Sequence, residues 1–280
     1  MVQKTIGIYG DTSSFSPFNE DTLIMEIGNE HIACLVKNVK TGTITAFEFF
    51  KVQLEGNDWD DIFYEIRTNS GLLDKSYAAT KVYYNIAENS FIPSYKFTDT
   101  NAELFLSLVH GNDEKSTIYH DEVKGNADFV NAYRIKNNLL ETVNRNFLSM
   151  QSKHVYTSIL DSVFEDDTIG RSILMKVQFY DSYFIATVIR SGKLQLMQRF
   201  SYQLPEDVLY HLLNIVEKFE LVGVRLQLSG FIDLESAIYT YLQQHFTDIY
   251  VEEVNAEEPM NQKMGNYPLH YFSPFFNLQA

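Results

Sequence analysis

The sequence predicts an α/β protein built of two halves, each running three strands, a helix, a strand, a helix and a strand. Two observations predict it. Short runs rich in β-branched and apolar residues are followed by stretches whose apolar residues recur at i, i+3, i+4 and i+7, the spacings of strand and helix. The opening of the first half also recurs 150 residues later without a gap. Leu23, Met25 and Ile27 fall on Ile173, Met175 and Val177, and Thr41-Gly42 falls on Ser191-Gly192. Trp59, Ile62, Phe63 and Ile66 fall on Leu209, Leu212, Leu213 and Val216. The expected halves are residues 1–165 and 166–280.

In the first half, Thr5–Tyr9 reads as a short strand before a polar loop. Leu23–Gly28, His31–Asn38 and Thr43–Val52 follow as a meander, turning at Gly28-Asn29-Glu30 and Thr41-Gly42. Asn57 or Asp58 caps a helix with Asp60 and Asp61 in its first turn, where carboxylates are favoured. Lys81–Ile86 is a strand, and a loop through Pro93 leads to a capping box at Thr100–Glu103. That helix is expected to turn Leu104, Phe105 and Leu108 inward and to end at His110-Gly111. Two strands, Thr117–Val123 and Phe129–Ile135, join at Gly125-Asn126. A helix on Leu139, Leu140, Val143 and Phe147, a strand at His154–Thr157 and a helical stretch Ile159–Phe164 complete the half. Glu165-Asp166-Asp167 reads as a solvated break, because three consecutive carboxylates do not converge on one ion.

The second meander is Ile173–Val177, Tyr183–Arg190 and Lys193–Phe200. Pro205, Glu206 and Asp207 open a helix, as proline and acids do in a first turn. Val224–Leu228, a turn at Ser229-Gly230, a helix capped by Asp233 and the strand Asp248–Val254 follow. Residues 255–280, with Pro259, Pro268 and Pro274 among aromatics, read as an extended tail.

Composition narrows the function classes. The chain has 280 residues, 45% of them hydrophobic and 14% aromatic, enough for a substantial core. Its formal net charge of -15 repels a phosphate backbone and an anionic membrane surface, so no nucleic-acid partner is expected. Cys34 is the one cysteine, which excludes an intramolecular disulfide and a cysteine zinc site, and its apolar run suits a buried hydrophobe. No apolar run approaches the ~18 residues of a membrane span, and Met1–Gly10 lacks a signal-peptide core. A soluble cytoplasmic protein is expected. No G-x-x-x-x-G-K-[ST], G-x-S-x-G, H-E-x-x-H or C-x-x-C occurs, and the seven histidines show no metal-ligand spacing.

The order of elements, with the runs Thr22-Leu-Ile-Met-Glu-Ile-Gly and Ser172-Ile-Leu-Met-Lys-Val-Gln, resembles the paired ribonuclease-H-like domains (βββαβαβ) of the actin-like ATPase superfamily. Within it, the chain looks like a bacterial family of unknown function assigned to that fold and, more distantly, pilus-assembly ATPase-like proteins. The resemblance implies a nucleotide site with Mg in a cleft between the halves. Its phosphate loops would be the first turn of each meander, and its adenosine loop would follow the fourth strand of the second half.

Carried over residue by residue, Glu26 takes the place of the acid that orients a metal-bound water, and Gly28 that of the glycine whose backbone N–H groups approach phosphate. Asn29 adds a polar group, but Glu30 brings a second carboxylate with no Lys or Arg in the turn. In the second loop Gln178 takes the glycine's place, and Phe179 and Tyr180 block a γ-phosphate. Asp181 and Ser182 either face a ligand or merely form the hairpin turn. Ser229 and Gly230 are what remains of the adenosine loop. A nuclease is disfavoured: Lys176 matches Glu26, and the charge opposes nucleic acid. The expectation is a non-catalytic scaffold or interaction module, with an ATP-binding protein of weak or no hydrolysis as the alternative. A protein partner would meet the cleft or the aromatic tail (Tyr267, Tyr271, Phe272, Phe275, Phe276), unless that tail packs on its own domain.

Overall fold

A computed structural model describes residues 1–10, 21–54, 56, 58–125, 127–165, 173–254 and 263–279. The chain divides into two compact units, one founded on Met1–Ser162, the other on Val163–Asn255 with Asn266–Asn277. The polar loop after Tyr9, and Asp166 and Asp167 of the acidic break, lie outside the described residues; Glu165 ends a helix.

In chain order the first unit holds strands β1 (Val2–Tyr9), β2 (Thr22–Gly28), β3 (His31–Lys37) and β4 (Ile44–Val52), helix α1 (Trp59–Asn69), and strands β5 (Ala79–Asn85) and β6 (Asn89–Pro93). Helix α2 (Asp99–His110), strands β7 (Ser116–Glu122) and β8 (Phe129–Lys136), α3 (Asn137–Asn146), β9 (Gln151–His154) and α4 (Val155–Glu165) follow. Six strands form one sheet in the order β1-β4-β3-β2-β5-β9, and β6-β8-β7 form a small second sheet. The second unit holds β10 (Ile173–Phe179), β11 (Tyr183–Arg190), β12 (Lys193–Ser201), α5 (Pro205–Lys218), β13 (Val224–Gly230), α6 (Ala237–His245) and β14 (Asp248–Val251). Its sheet runs β12-β11-β10-β13-β14.

Each large sheet pairs a meander with a parallel strand reached through a helix. In the first unit the Asp58 carboxylate accepts the Trp59 N–H at 2.6 Å, which starts α1. Trp59, Ile62, Phe63 and Ile66 then bury against Met25, Ile27, Cys34 and Val82, at roughly 1.5–3 kcal/mol for each large side chain. Burial pushes the Cys34 thiol well above its usual range, which leaves it protonated and inert.

Several elements differ from expectation. Asn89–Pro93 is a strand, its proline placed at the end where a missing N–H does no harm. Thr98 caps α2 through its hydroxyl, and Ala102 and Leu106 face the small sheet, while Leu104 and Leu108 are 61% and 83% exposed. A three-stranded sheet covers only a narrow stripe of its helix. The strand expected at His154–Thr157 ends at His154, where α4 begins. In α5 the deepest residues are Val208, Leu212 and Ile215; Leu209, Leu213 and Val216 flank them. β13 continues through Ser229 and Gly230, and Ser236, not Asp233, caps α6. The tail forms short helical turns at Leu269–Tyr271 and Ser273–Phe276 instead of an extended segment, with Pro268 just before the first and Pro274 in the first turn of the second.

The repeat is not gapless. Thr22 pairs with Lys37 in the first hairpin, and a strand irregularity sits between Val36 and Lys37. Leu174 pairs with Ile189 in the second, with the matching irregularity between Val188 and Ile189. The hairpins therefore correspond at a displacement of 152 residues. Because the next turn is two residues shorter in the second unit, the third strands correspond at 150, Ala46 with Leu196. Glu26 is thus the counterpart of Gln178, not Lys176, and Gly28 that of Tyr180, not Gln178.

Candidate functional site

In the first unit β2 carries Glu26 into the sheet interior on the face opposite α1. Glu26 is fully buried. His31 lies two positions along from Ala33, the cross-strand partner of Glu26, so its ring reaches back to the carboxylate. The imidazole Nε2 is 2.9 Å from Glu26 Oε1, and the Asn85 amide donates to the same oxygen at 2.6 Å. The other oxygen, Oε2, is buried with no hydrogen-bond partner. The His31 ring stacks on Phe49, with centroids 5.4 Å apart. It also covers Gly28: a Cβ built on that glycine would lie 2.7 Å from His31 Cε1. Asn29 and Glu30 are exposed at the turn.

The second hairpin puts different chemistry in the same place. Tyr183, the counterpart of His31, lies flat against Tyr180, with centroids 4.6 Å apart and planes 9° from parallel. The Arg199 guanidinium sits 3.5 Å from the centroid of the Tyr183 ring, where Phe49 sits on His31 in the first unit. Gln178 and Ser229 are cross-strand partners, both buried, and neither Gln178 Oε1 nor Ser229 Oγ has a hydrogen-bond partner. Gly230 has φ 83°, and a Cβ on it would lie 2.1 Å from the Phe179 carbonyl oxygen. Asp181 and Ser182 form the hairpin tip, closed by the Tyr180 N–H donating to Tyr183 O at 2.8 Å.

The tail closes over this end of the second sheet. Phe275 packs edge-on against Tyr180 and also touches Phe231, with centroids 6.0 and 5.8 Å away. His270 Nε2 lies 2.7 Å from the Ile232 carbonyl, and the Ser273 hydroxyl donates to the Glu252 carbonyl at 2.6 Å. Lys176, the residue matched to Glu26 on sequence alone, is paired with the Glu252 carboxylate at 2.7 Å. Phe272 and Phe275 are buried, so the tail's main aromatic surface is used within the chain rather than held out to a partner.

These residues do not fit a magnesium nucleotide. The Gly28 backbone is covered by an imidazole, the Glu26 carboxylate is engaged by His31 and Asn85, and its counterpart Gln178 is uncharged. Tyr180 stands at the second glycine's place. Among the described residues no three His, Cys, Asp or Glu side chains are placed to hold a metal ion, and no helix is long and apolar enough to cross a membrane. Sequence reasoning missed His31 and Asn85. His31 was within reach, being diagonal to Glu26 across a two-residue turn; the parallel register that brings Asn85 in leaves no local signal.

The family described as "Protein of unknown function (DUF3822)" matches residues 12–249. A Bacteroides thetaiotaomicron protein with actin-like ATPase fold and unknown function superposes with TM-score 0.74 at 16% identity, over 85% of this chain and 93% of that one. A chain of the PilM-PilN type IV pilus biogenesis complex superposes with TM-score 0.59 at 8% identity, over 94% of this chain and 98% of that one. At these identities the likeness shows the fold, and the fold is that of the actin-like ATPases. No curated protein matches.

Proposed function

The chain belongs to that family of proteins of unknown function, and we propose that it is a non-catalytic interaction module on an actin-like ATPase fold. The observation that carries the proposal is the His31 ring lying over Gly28 while bound to Glu26. A phosphate loop works by offering bare backbone N–H groups, and here the chain's own side chain occupies that approach. The second hairpin supports the same conclusion, since its Tyr180–Tyr183–Arg199 stack fills the corresponding place. The likeness to a chain of the PilM-PilN complex is consistent with a role in binding proteins.

Thermal-shift titration with Mg-ATP and Mg-ADP tests this. The expected outcome is no shift at millimolar nucleotide; a saturable stabilisation abolished by Gly28→Trp would overturn it. The second reading, nucleotide binding with weak or no hydrolysis, is favoured by one observation. Gln178 Oε1 and Ser229 Oγ are buried side by side with unmet hydrogen-bonding capacity, which a bound ligand would relieve.

A further inference from the structure

The two sheets differ at one edge. β4 and β12 are counterparts, yet β4 is covered by β1 whereas β12 is, among the described residues, the terminal strand of its sheet. The hydrogen-bond phase identifies which amides are involved. The Val52 N–H donates to Glu30 O, so the backbone groups of Phe47, Phe49 and Lys51 point away from β3, and there they face Ile8, Ile6 and Gln3 of β1. The Tyr202 N–H donates to Ser182 O in the same phase, so the amides of Met197 and Ser201 point away from β11. Among the described residues no strand pairs with them.

Sheets usually blunt such an edge by shortening it, inserting a proline or placing charges along it. β12 is nine residues long and contains no proline. Its charged residues, Lys193 and Arg199, are both cations on a chain of net charge -15; the Arg199 guanidinium lies on the Tyr183 ring, and Lys193 stands at the exposed end of the strand. Moreover, Lys193 lies directly opposite Arg190 on β11, both exposed. Like charges in directly opposed positions are unfavourable; the Arg190 guanidinium donates to Phe219 O at 3.5 Å, and Lys193 has no ion-pair partner among the described residues. A carboxylate beyond the edge would offset that repulsion.

We propose that the outer edge of β12 docks an extended acidic segment of a partner protein by strand addition. The segment runs antiparallel to β12, takes the hydrogen bonds of Met197 and Ser201, and sets a carboxylate against Lys193. A second copy of this chain fits less well, since two β12 edges would bring like charges together. The proposal deepens the interaction-module reading and rests on it for the nature of the partner. The two fail separately, because nucleotide titration does not probe this edge.

The probe is a labelled peptide of the Val2–Gly10 sequence, the strand that covers the counterpart edge, extended at its C-terminus by Glu-Glu or by Lys-Lys. In the β1 register that extension reaches Lys193. Anisotropy titration of the full chain is expected to show about tenfold tighter binding of the Glu-Glu peptide at low salt, a preference that shrinks as salt rises. Ser201→Pro, which removes one outward N–H at an exposed position, is expected to weaken binding about tenfold with the melting temperature unchanged. Lys193→Glu should reverse the peptide preference, and it keeps the test decisive if Ser201→Pro unfolds. The proposal is overturned if neither peptide saturates at millimolar concentration, or if a folded Ser201→Pro binds like the parent. Self-association of the parent that Ser201→Pro abolishes would also overturn it, by making a second copy the occupant.

Discussion

The β2–β3 and β10–β11 hairpins hold the same place in their sheets and fill it with opposite chemistry. The first buries an acid–imidazole–amide cluster: Glu26, His31 and Asn85. The second buries an amide beside a stack of two tyrosines and a guanidinium. In both, the residue just past the turn folds its ring back over the strand end, His31 on one side and Tyr183 on the other. Both hairpins thus place a flat ring at this position, an imidazole in one and a phenol in the other. What the hairpins share belongs to architecture, and what differs is where selection for a ligand would have acted.

The largest effect is expected at the glycines. Gly230→Ala sets a Cβ against the Phe179 backbone and demands a left-handed φ, so a loss of about 5 kcal/mol is expected in denaturant melts. Gly28→Ala sets a Cβ against the His31 ring, a side chain rather than backbone, and should cost less, about 1–2 kcal/mol. Equal costs would mean that the first turn is as rigidly seated as the second.

Acid should act on the first unit through His154. Its Nδ1 accepts the Tyr156 N–H at 3.0 Å, so Nε2 bears the proton donated to Ile86 O. Burial lowers its pKa from 6.5 to about 3. Between those values the unfolded chain binds a proton that the native chain does not, so stability falls as pH drops through the window, by on the order of 4 kcal/mol. Asp121, whose carboxyl burial pushes upward, acts in the opposite sense. The decisive quantity is therefore the difference between parent and His154→Gln, whose stability should depend less on pH between 6.5 and 3.

A smaller effect is expected within the first hairpin. His31→Ala leaves the buried Glu26 carboxylate with Asn85 alone and should cost about 3 kcal/mol. Adding Glu26→Gln, which copies the second hairpin's Gln178, should recover at least about 1 kcal/mol of it. Additive losses would show that acid and imidazole are not coupled.

Much of the fold was legible because it is written in periodicity. The α1 stripe of Trp59, Ile62, Phe63 and Ile66 is buried as its spacing requires. Periodicity failed where apolar residues outnumber the surface available to cover them, as on α2, where Leu104 and Leu108 remain outside. It failed again in the tail, whose prolines stand at the openings of helical turns instead of preventing them. The candidate site was only half legible. Glu26 and Gly28 stand out in a single strand and turn, but their contacts cross strands, and a two-residue compensation between turns disguised Gln178 and Tyr180 as neighbours of their true counterparts.

That compensation has a practical use. Residues 22–37 and 174–189 are cassettes of equal length, both bounded by paired ends. Either can be transplanted into the other's seat without shifting any strand beyond it, so a chimera carrying two acidic hairpins, or two aromatic ones, keeps the numbering of every downstream turn. The chain thereby contains its own control: the ligand preference of each hairpin can be assayed in a foreign half with the rest of the sequence held constant.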